Sequence, residues 1–303
     1  MILRKNTLNS VATIIPVHTY NSLVIKAINS ALNQNYNNNK VYVVINSTEI
    51  DLEDKIHNEF SNDIQIINIK EIGVSYARNA GIVHSKSEYV AFLDSDDTWS
   101  EDKLTSQIDF MVDNNYFVCG SLMNYITERE NSNIYVGNAK FTQEQVRRAI
   151  FMPFPISSLI VKREVLDINN LFSVNLGTNA YAQIEDLELI SRLAYKYKVG
   201  IHLKRTGKYL INTKGITSNK LFIQRSAGYM LSDMRKEGNE GFIDNFSYKV
   251  VKSRKIYHEL FRYRMIESYV NKNYLSSLFF TLIIIMLKPL LTIKKIYQKN
   301  ITS

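Results

Sequence analysis

The 303-residue chain has a single cysteine, Cys119, which excludes an internal disulfide. Cys119 follows Val118 in an apolar stretch and reads as a small buried hydrophobe. A design without disulfides fits a reducing compartment. The five histidines (His18, His57, His84, His202, His258) are scattered, and none pairs with the cysteine or another histidine at a ligand spacing, which argues against zinc. The opening residues Met1-Ile2-Leu3-Arg4-Lys5-Asn6 lack the long apolar core and small-residue cleavage site of a signal peptide, so the chain is expected not to be exported. No repeat period is visible, which argues against a solenoid.

What is present is the composition of a globular protein, 45% apolar and 22% charged, long enough for one domain with a substantial appendage. The net charge of +8 is unevenly placed. From Lys249 onward there are eleven Lys/Arg against two Asp/Glu, which leaves 26 basic against 27 acidic residues before it. The positive charge therefore belongs to the C-terminal tail.

Val11 to Ile15 is a short apolar run closed by Pro16 and reads as a buried strand. Ser22 to Gln34 places Leu23, Ala27, Ile28, Ala31 and Leu32 on one helical face. A strand over Val41–Ile45, a helix carrying Leu52, Ile56 and Phe60, a strand over 64–69, a helix over 75–84 and a strand over 89–93 follow. Strands alternating with amphipathic helices predict an α/β fold, a mostly parallel sheet with helices on both faces. In such sheets ligands sit beyond the carboxyl ends of the strands. Pro16 to Asn21, Asn46 to Glu49 and Asp94-Ser95-Asp96-Asp97 all fall there.

Beyond Trp99, the pattern predicts a helix over 103–114, a strand over 117–123, and a helix from the capping box at Thr142 through Ile150. Ser157 to Val161 is expected as a strand, Asp186 to Lys196 as a helix, and 201–212 as extended chain.

Two carboxylates one residue apart at a strand end suit a hard divalent cation, which takes oxygen ligands and can bridge to a diphosphate. An acidic turn that is merely solvated has the same appearance, so the surroundings decide. Thr13-Ile14-Ile15-Pro16-Val17-His18-Thr19-Tyr20-Asn21, the helix over Ala27–Tyr36, Gly73-Val74-Ser75-Tyr76-Ala77-Arg78-Asn79-Ala80-Gly81-Ile82, the strand and loop over Glu88–Asp97, and Glu185-Asp186 occur in that order. On these motifs, which span residues 11 to 197, the chain resembles the family-2 glycosyltransferases of the GT-A (Rossmann-like) fold.

That resemblance implies roles. Asp94 is expected to contact the nucleotide, Asp96 to ligate Mn²⁺ or Mg²⁺, and Asp97 to sit near the donor sugar or orient the loop. Pro16, Asn21 and Asn46 join Arg78, Asp94 and Asp97 in the expected nucleotide-sugar set. Arg78 either contacts phosphate or holds the acidic loop through an ion pair. Asp186 is the expected catalytic base, which takes the acceptor's proton, and Glu185 is expected to contact the acceptor. The bland alternative for both carboxylates is a favourable helix N-terminus. Gly73 and Gly81 are expected to allow close approach at one end of their helix and tight packing at the other.

Two departures from the family pattern stand out. Ile45-Asn46-Ser47-Thr48 stands where the family usually has Asp-Asp-Gly-Ser, and Ile211–Ser218 lacks a late histidine, with Lys214 a weak substitute contact for phosphate. A sugar nucleotidyltransferase would show a glycine-rich phosphate loop, and residues 11–21 contain no glycine.

The expected organisation is a catalytic domain over 1–218, with a nucleotide-sugar half to about residue 115 and an acceptor half over 116–218, then a helical tail over 219–303. The tail joins Leu278–Leu287 to basic residues, with Lys288 and Pro289 interrupting. It is too short an apolar run for a ~20-residue span and suits an interfacial helix on an anionic membrane, or else packing on the domain or a second subunit. Nucleic acid is not an expected partner.

The expected activity is transfer from a UDP-sugar, UDP-glucose or UDP-galactose, with inversion. The acceptor would be lipid-diphosphate-linked (undecaprenyl-diphosphate GlcNAc or GalNAc, β-1,3), in O-antigen or capsule synthesis at the cytoplasmic face of the inner membrane. The alternatives are a non-catalytic sugar-nucleotide-binding scaffold, or a glycosyltransferase acting on a protein or other cell-wall acceptor.

Overall fold

The structure is a computed structural model that describes residues 9–127, 130–134, 154–169, 171–174 and 185–211. The chain divides into two compact units, Met1–Ser218 and Asn219–Ser303, and every described residue belongs to the first. The expected helix over 142–150, Lys214 and the tail lie outside the described residues.

The first half is an alternating βα run: β1 (Val11–Val17), α1 (Ser22–Leu32), β2 (Asn39–Ile45), α2 (Leu52–Phe60), β3 (Gln65–Asn68), α3 (Val74–His84) and β4 (Tyr89–Phe92). Then come β5 (Thr98–Trp99), α4 (Lys103–Asn114), β6 (Val118–Thr127), β7 (Glu130–Ile134), β8 (Ile160–Lys162), α5 (Glu185–Lys196) and β9 (Val199–Ile211). The strands form one sheet in the order β3-β2-β1-β4-β8-β6-β9-β5, with β7 paired to β6. The pairs β3/β2, β2/β1 and β1/β4 are parallel, as is β6/β9. Strands β8, β5 and β7 run against their neighbours.

The period-2 alternation of buried strands sorts the core into two layers. Val11, Ile15 and Val17 of β1 pack with Val41, Val43 and Ile45 of β2 beneath α1, α2 and α4. Ile14 faces the other way with Val44, Val90 and Phe92, beneath α3 and the Leu189, Ile190, Leu193 and Ala194 face of α5. Helices therefore cover both faces. Gly81 makes the α3 contact possible, because a Cβ there would stand 2.6 Å from Ile14 Cγ2. Among the described residues no helix is long and apolar enough to cross a membrane.

Two expectations fail in detail. Pro16 does not end β1, which continues through Val17 in register with Ile45. The O of Ile14 accepts from Leu93 on the β4 side, while that of Val17 accepts from Asn46 on the β2 side. By alternation Pro16 faces β4, beyond its last ladder pair at Phe92, so its missing N–H interrupts nothing. Nor is Ser157 in a strand. Ile156–Ser158 form a 3-10 turn, its Ser158 N–H and Oγ both bonded to Pro155 O at 2.9 and 2.8 Å, and β8 begins only at Ile160.

Candidate active site

Strands β1, β2 and β4 end side by side, so the loops after them share one rim. The first two loops are tied together. Ser47 Oγ donates to His18 O at 2.6 Å and the Tyr20 N–H to Glu49 Oε2 at 3.3 Å, while Lys55 Nζ holds Glu49 Oε1 at 3.0 Å. Asn46 follows β2 directly, and its buried Oδ1 has no hydrogen-bond partner among the described residues. A buried acceptor left open is costly, and an incoming donor group would satisfy it. Asn21 closes the first of these loops. Its Oδ1 caps α1, accepting from Leu23 N at 2.8 Å and Val24 N at 3.1 Å.

The acidic loop after β4 is folded around Ser157, a residue that no motif singled out. Asp94 N donates to Ser157 Oγ at 3.0 Å, and that hydroxyl donates to Asp97 Oδ2 at 2.5 Å. Trp99 Nε1 donates to Ser157 O at 2.6 Å. The other carboxylate oxygen of Asp97 accepts from Leu210 N at 2.8 Å. With 1% exposure and both oxygens engaged, Asp97 orients the loop from below rather than facing a donor sugar. Burial, then Asp94 and Asp96, push its carboxyl well above the usual range, against the bonds from Ser157 and Leu210. Asp96 is half-buried, and burial together with Asp94 pushes its carboxyl up to about 6. A carboxyl raised by a neighbouring carboxylate marks a place where a cation gains energy.

Arg78 projects from α3 into the middle of this group. Its Nη2 is 2.7 Å from Asp94 Oδ1 and its Nη1 is 2.6 Å from Glu185 Oε1. The guanidinium lies 5.4 Å from the centre of the Phe172 ring. Burial pulls its pKa down, but Asp94, Glu185 and Asp186 outweigh burial and raise it, so it stays charged. Arg78 therefore holds the acidic loop through Asp94. Glu185 is 4% exposed and turned into that ion pair. Its Oε2 and Arg78 Nε have no hydrogen-bond partner among the described residues.

Helices α3 and α5 are fixed to the same short segment. Ser75 Oγ donates to Ser173 O at 2.9 Å, and Asn79 makes two bonds to the Phe172 backbone, at 2.9 and 3.0 Å. Arg192, paired with Glu188 at 2.7 Å, donates to Leu171 O at 2.7 Å. Asp186 sits in the first turn of α5, its Oδ1 accepting from Leu187 N at 2.6 Å. Burial, then Glu185, push its carboxyl up to about 7, although Arg78 pulls the other way. A carboxylate poised near neutrality is suited to accept a proton.

The structure thus gathers Arg78, Asp94, Asp96, Asp97, Glu185 and Asp186 into one acidic site around a single guanidinium. Asn46 lies on the neighbouring strand end, Asn21 caps a helix, and Pro16 is buried in β1. Among the described residues no group of three His, Cys, Asp or Glu is placed to hold a metal. Asp96 and Asp94 fit a cation whose other ligands are water and substrate oxygens, the habit of Mg²⁺ and similar ions.

Comparison with known proteins gives the family and the fold. The family model described as Glycosyl transferase family 2 matches residues 12–167. An uncharacterized glycosyltransferase of Rickettsia bellii is 33% identical over 173 residues, 55% of this chain and 24% of that protein. The UDP-Glc:alpha-D-GlcNAc-diphosphoundecaprenol beta-1,3-glucosyltransferase WfaP of Escherichia coli is 34% identical over 123 residues, 40% of this chain and 47% of that one. The first-matched curated relatives are much longer, and the matched stretch is 24% to 32% of their length. In fold, the chain is similar to S. aureus TarS 1-349 in complex with UDP-GlcNAc, with TM-score 0.60, 12% identity, and coverage of 88% of this chain and 89% of that one.

Proposed function

The chain belongs to glycosyl transferase family 2, and from that premise we propose that it moves a hexose from a UDP-sugar, with inversion, to a lipid-diphosphate-linked acceptor. The observation that carries this reading is the double grip of Arg78 on Asp94 and Glu185, which sets the acidic loop against the N-terminus of α5. A donor held at the loop and an acceptor held near Asp186 then share one space.

In the transfer, an acceptor hydroxyl attacks the anomeric carbon from the side opposite the diphosphate. The new C–O bond forms as the bond to the diphosphate oxygen breaks, UDP departs with that electron pair, and Asp186 takes the hydroxyl proton. Mn²⁺ or Mg²⁺ at Asp96, aided by Asp94, would offset the charge on the diphosphate. Arg78 keeps Asp94 and Glu185 in place, and Asp97 anchors the loop through Ser157 and Leu210. Asn46 Oδ1 is free to accept from the nucleobase.

UDP is supported by the ligand of the TarS complex and by the donor in the name of WfaP. The WfaP name also supports a diphosphoundecaprenol-linked amino sugar as acceptor, UDP-glucose (or UDP-galactose) as donor and a β-1,3 linkage, hence a role in O-antigen or capsule synthesis. We assign catalysis to residues 1–218 and membrane attachment, at the cytoplasmic face, to the basic and apolar tail over 219–303. The test is a panel of nucleotide-sugars offered with membranes that supply lipid-linked acceptors, with and without Mn²⁺. Metal-dependent transfer from a UDP-sugar is expected. Neither transfer nor donor hydrolysis across the whole panel would reject the assignment.

A further inference from the structure

Strands β6 and β9 run parallel, with Tyr125 in register with Tyr209, and the two rings lie 5.2 Å apart at 55°. Neighbours in register share a face of the sheet. Both side chains are half-buried. The strand carrying Tyr209 is fixed to the acidic loop at two points. Leu210 N donates to Asp97 Oδ1 at 2.8 Å, and Lys208 pairs with Thr98, which follows that loop. Ring packing on one side and backbone pinning on the other leave Tyr209 little freedom.

Four carboxylates of the site act on its hydroxyl. Burial comes first, and Asp97, Asp94, Asp96 and Asp186 then add to it, so the phenol is raised well above its ordinary value. Tyr209 stands within electrostatic reach of both the loop assigned to the diphosphate and the base assigned to the acceptor.

We propose that Tyr209, braced by the Tyr125 ring, is a substrate-facing hydrogen-bond donor of the transfer site, its hydroxyl directed at the oxygen atoms that gain negative charge as the nucleoside diphosphate leaves. The inference rests on the family-2 reading above. Its physical basis is complementarity. An ionised carboxylate only accepts hydrogen bonds, whereas a departing diphosphate needs donors. The phenol donates a hydrogen bond and keeps its proton, so the balance of the transfer is unchanged.

The test compares the full-length chain with Tyr209→Phe and Tyr209→Leu, using UDP-glucose or UDP-galactose, whichever the wild type turns over, with Mn²⁺. Tyr209→Phe keeps the ring against Tyr125 and removes only the hydroxyl. Its kcat should fall roughly 10- to 100-fold, below the ~10²–10³ range for a donor in an enclosed oxyanion hole, and binding of UDP with Mn²⁺ by calorimetry should weaken, because UDP carries the same oxygens, while the unfolding temperature stays at the wild-type value. Tyr209→Leu should lose at least as much activity. Wild-type kcat in Tyr209→Phe overturns the proposal. So does a loss confined to Tyr209→Leu and to acceptor KM, which would make the ring a platform for the acceptor sugar. A wild type that is inactive with every nucleotide-sugar instead brings down the proposed function, which separates the two failures.

Discussion

Arg78 and Glu185 form a buried ion pair, Nη1 to Oε1 at 2.6 Å, across 107 residues of chain. The same guanidinium reaches Asp94, so one side chain joins the acidic loop to the helix that carries Asp186.

Removing one member of a buried pair leaves an uncompensated charge. Arg78→Met should therefore lower stability by about 3–5 kcal/mol, read as a fall in denaturation midpoint at unchanged m-value. Arg78→Lys keeps the charge but cannot grip both carboxylates, and should fold better than Arg78→Met while losing most transfer activity. An Arg78→Lys variant of full activity would show that the double grip is dispensable.

Asp186 gives a prediction in which activity and stability move apart. Its carboxyl is raised to about 7 in the folded chain from an ordinary 3.8. Between those values the folded state holds a proton that the unfolded state has released, so this group's contribution to stability falls as pH rises from about 4 to about 7. Asp186→Asn should be at least as stable as wild type at pH 8, yet lose roughly 10²–10⁴-fold in kcat. In the wild type kcat/KM should rise through pH 7. A pH-independent rate from 5 to 8 would remove Asp186 as base.

Ser157 supports two points of the acidic loop at once. Ser157→Ala leaves Asp97 Oδ2 and the Asp94 N–H without this partner, at a cost of about 1–3 kcal/mol. Because the loop loses its brace, UDP affinity measured with Mn²⁺ should weaken as well. Loss of stability with UDP affinity intact would make Ser157 a fold residue only.

Gly81 tests helix seating. Alanine there gains up to about 1 kcal/mol of helix propensity, but its Cβ meets Ile14 Cγ2 at 2.6 Å on the central strand, where Ile14 is fully buried. Overpacking of this kind costs about 1–3 kcal/mol, so Gly81→Ala should be net destabilising. Combined with Ile14→Ala it should cost less than the two single changes together. Simple additivity in that cycle would contradict the contact.

The βα alternation up to residue 114 follows from local pattern, because each element buries one face and the apolar spacing records it. The helix over Lys103–Asn114 lies where periodicity places it. The acidic loop, Arg78 and the Glu185-Asp186 pair were legible as motifs, and a hold on the loop was one reading of both Arg78 and Asp97, but the choice between readings was not legible. That Glu185 turns to Arg78 while Asp97 turns inward depends on partners 107 and 113 residues away. Ser157 and Tyr209 carried no local signal, being a serine in a short turn and a tyrosine in a strand, and only tertiary packing brings them to the loop. Pro16 misled for a related reason: a proline ends a strand only where its missing N–H would have met a neighbour.

The bond from Leu210 to Asp97 also has a meaning in time. A ribosome builds the acidic loop early and supplies its last fastening only after another hundred or so residues have emerged. Until then the carboxylate of Asp97 has no backbone donor from β9, and β5, the two-residue strand beside it, has no partner to pair with. The loop that would receive the nucleotide is thus made before the midpoint of the unit and gains its last backbone fastening near the unit's end. A nascent chain stopped short of β9 would present the motif without the site.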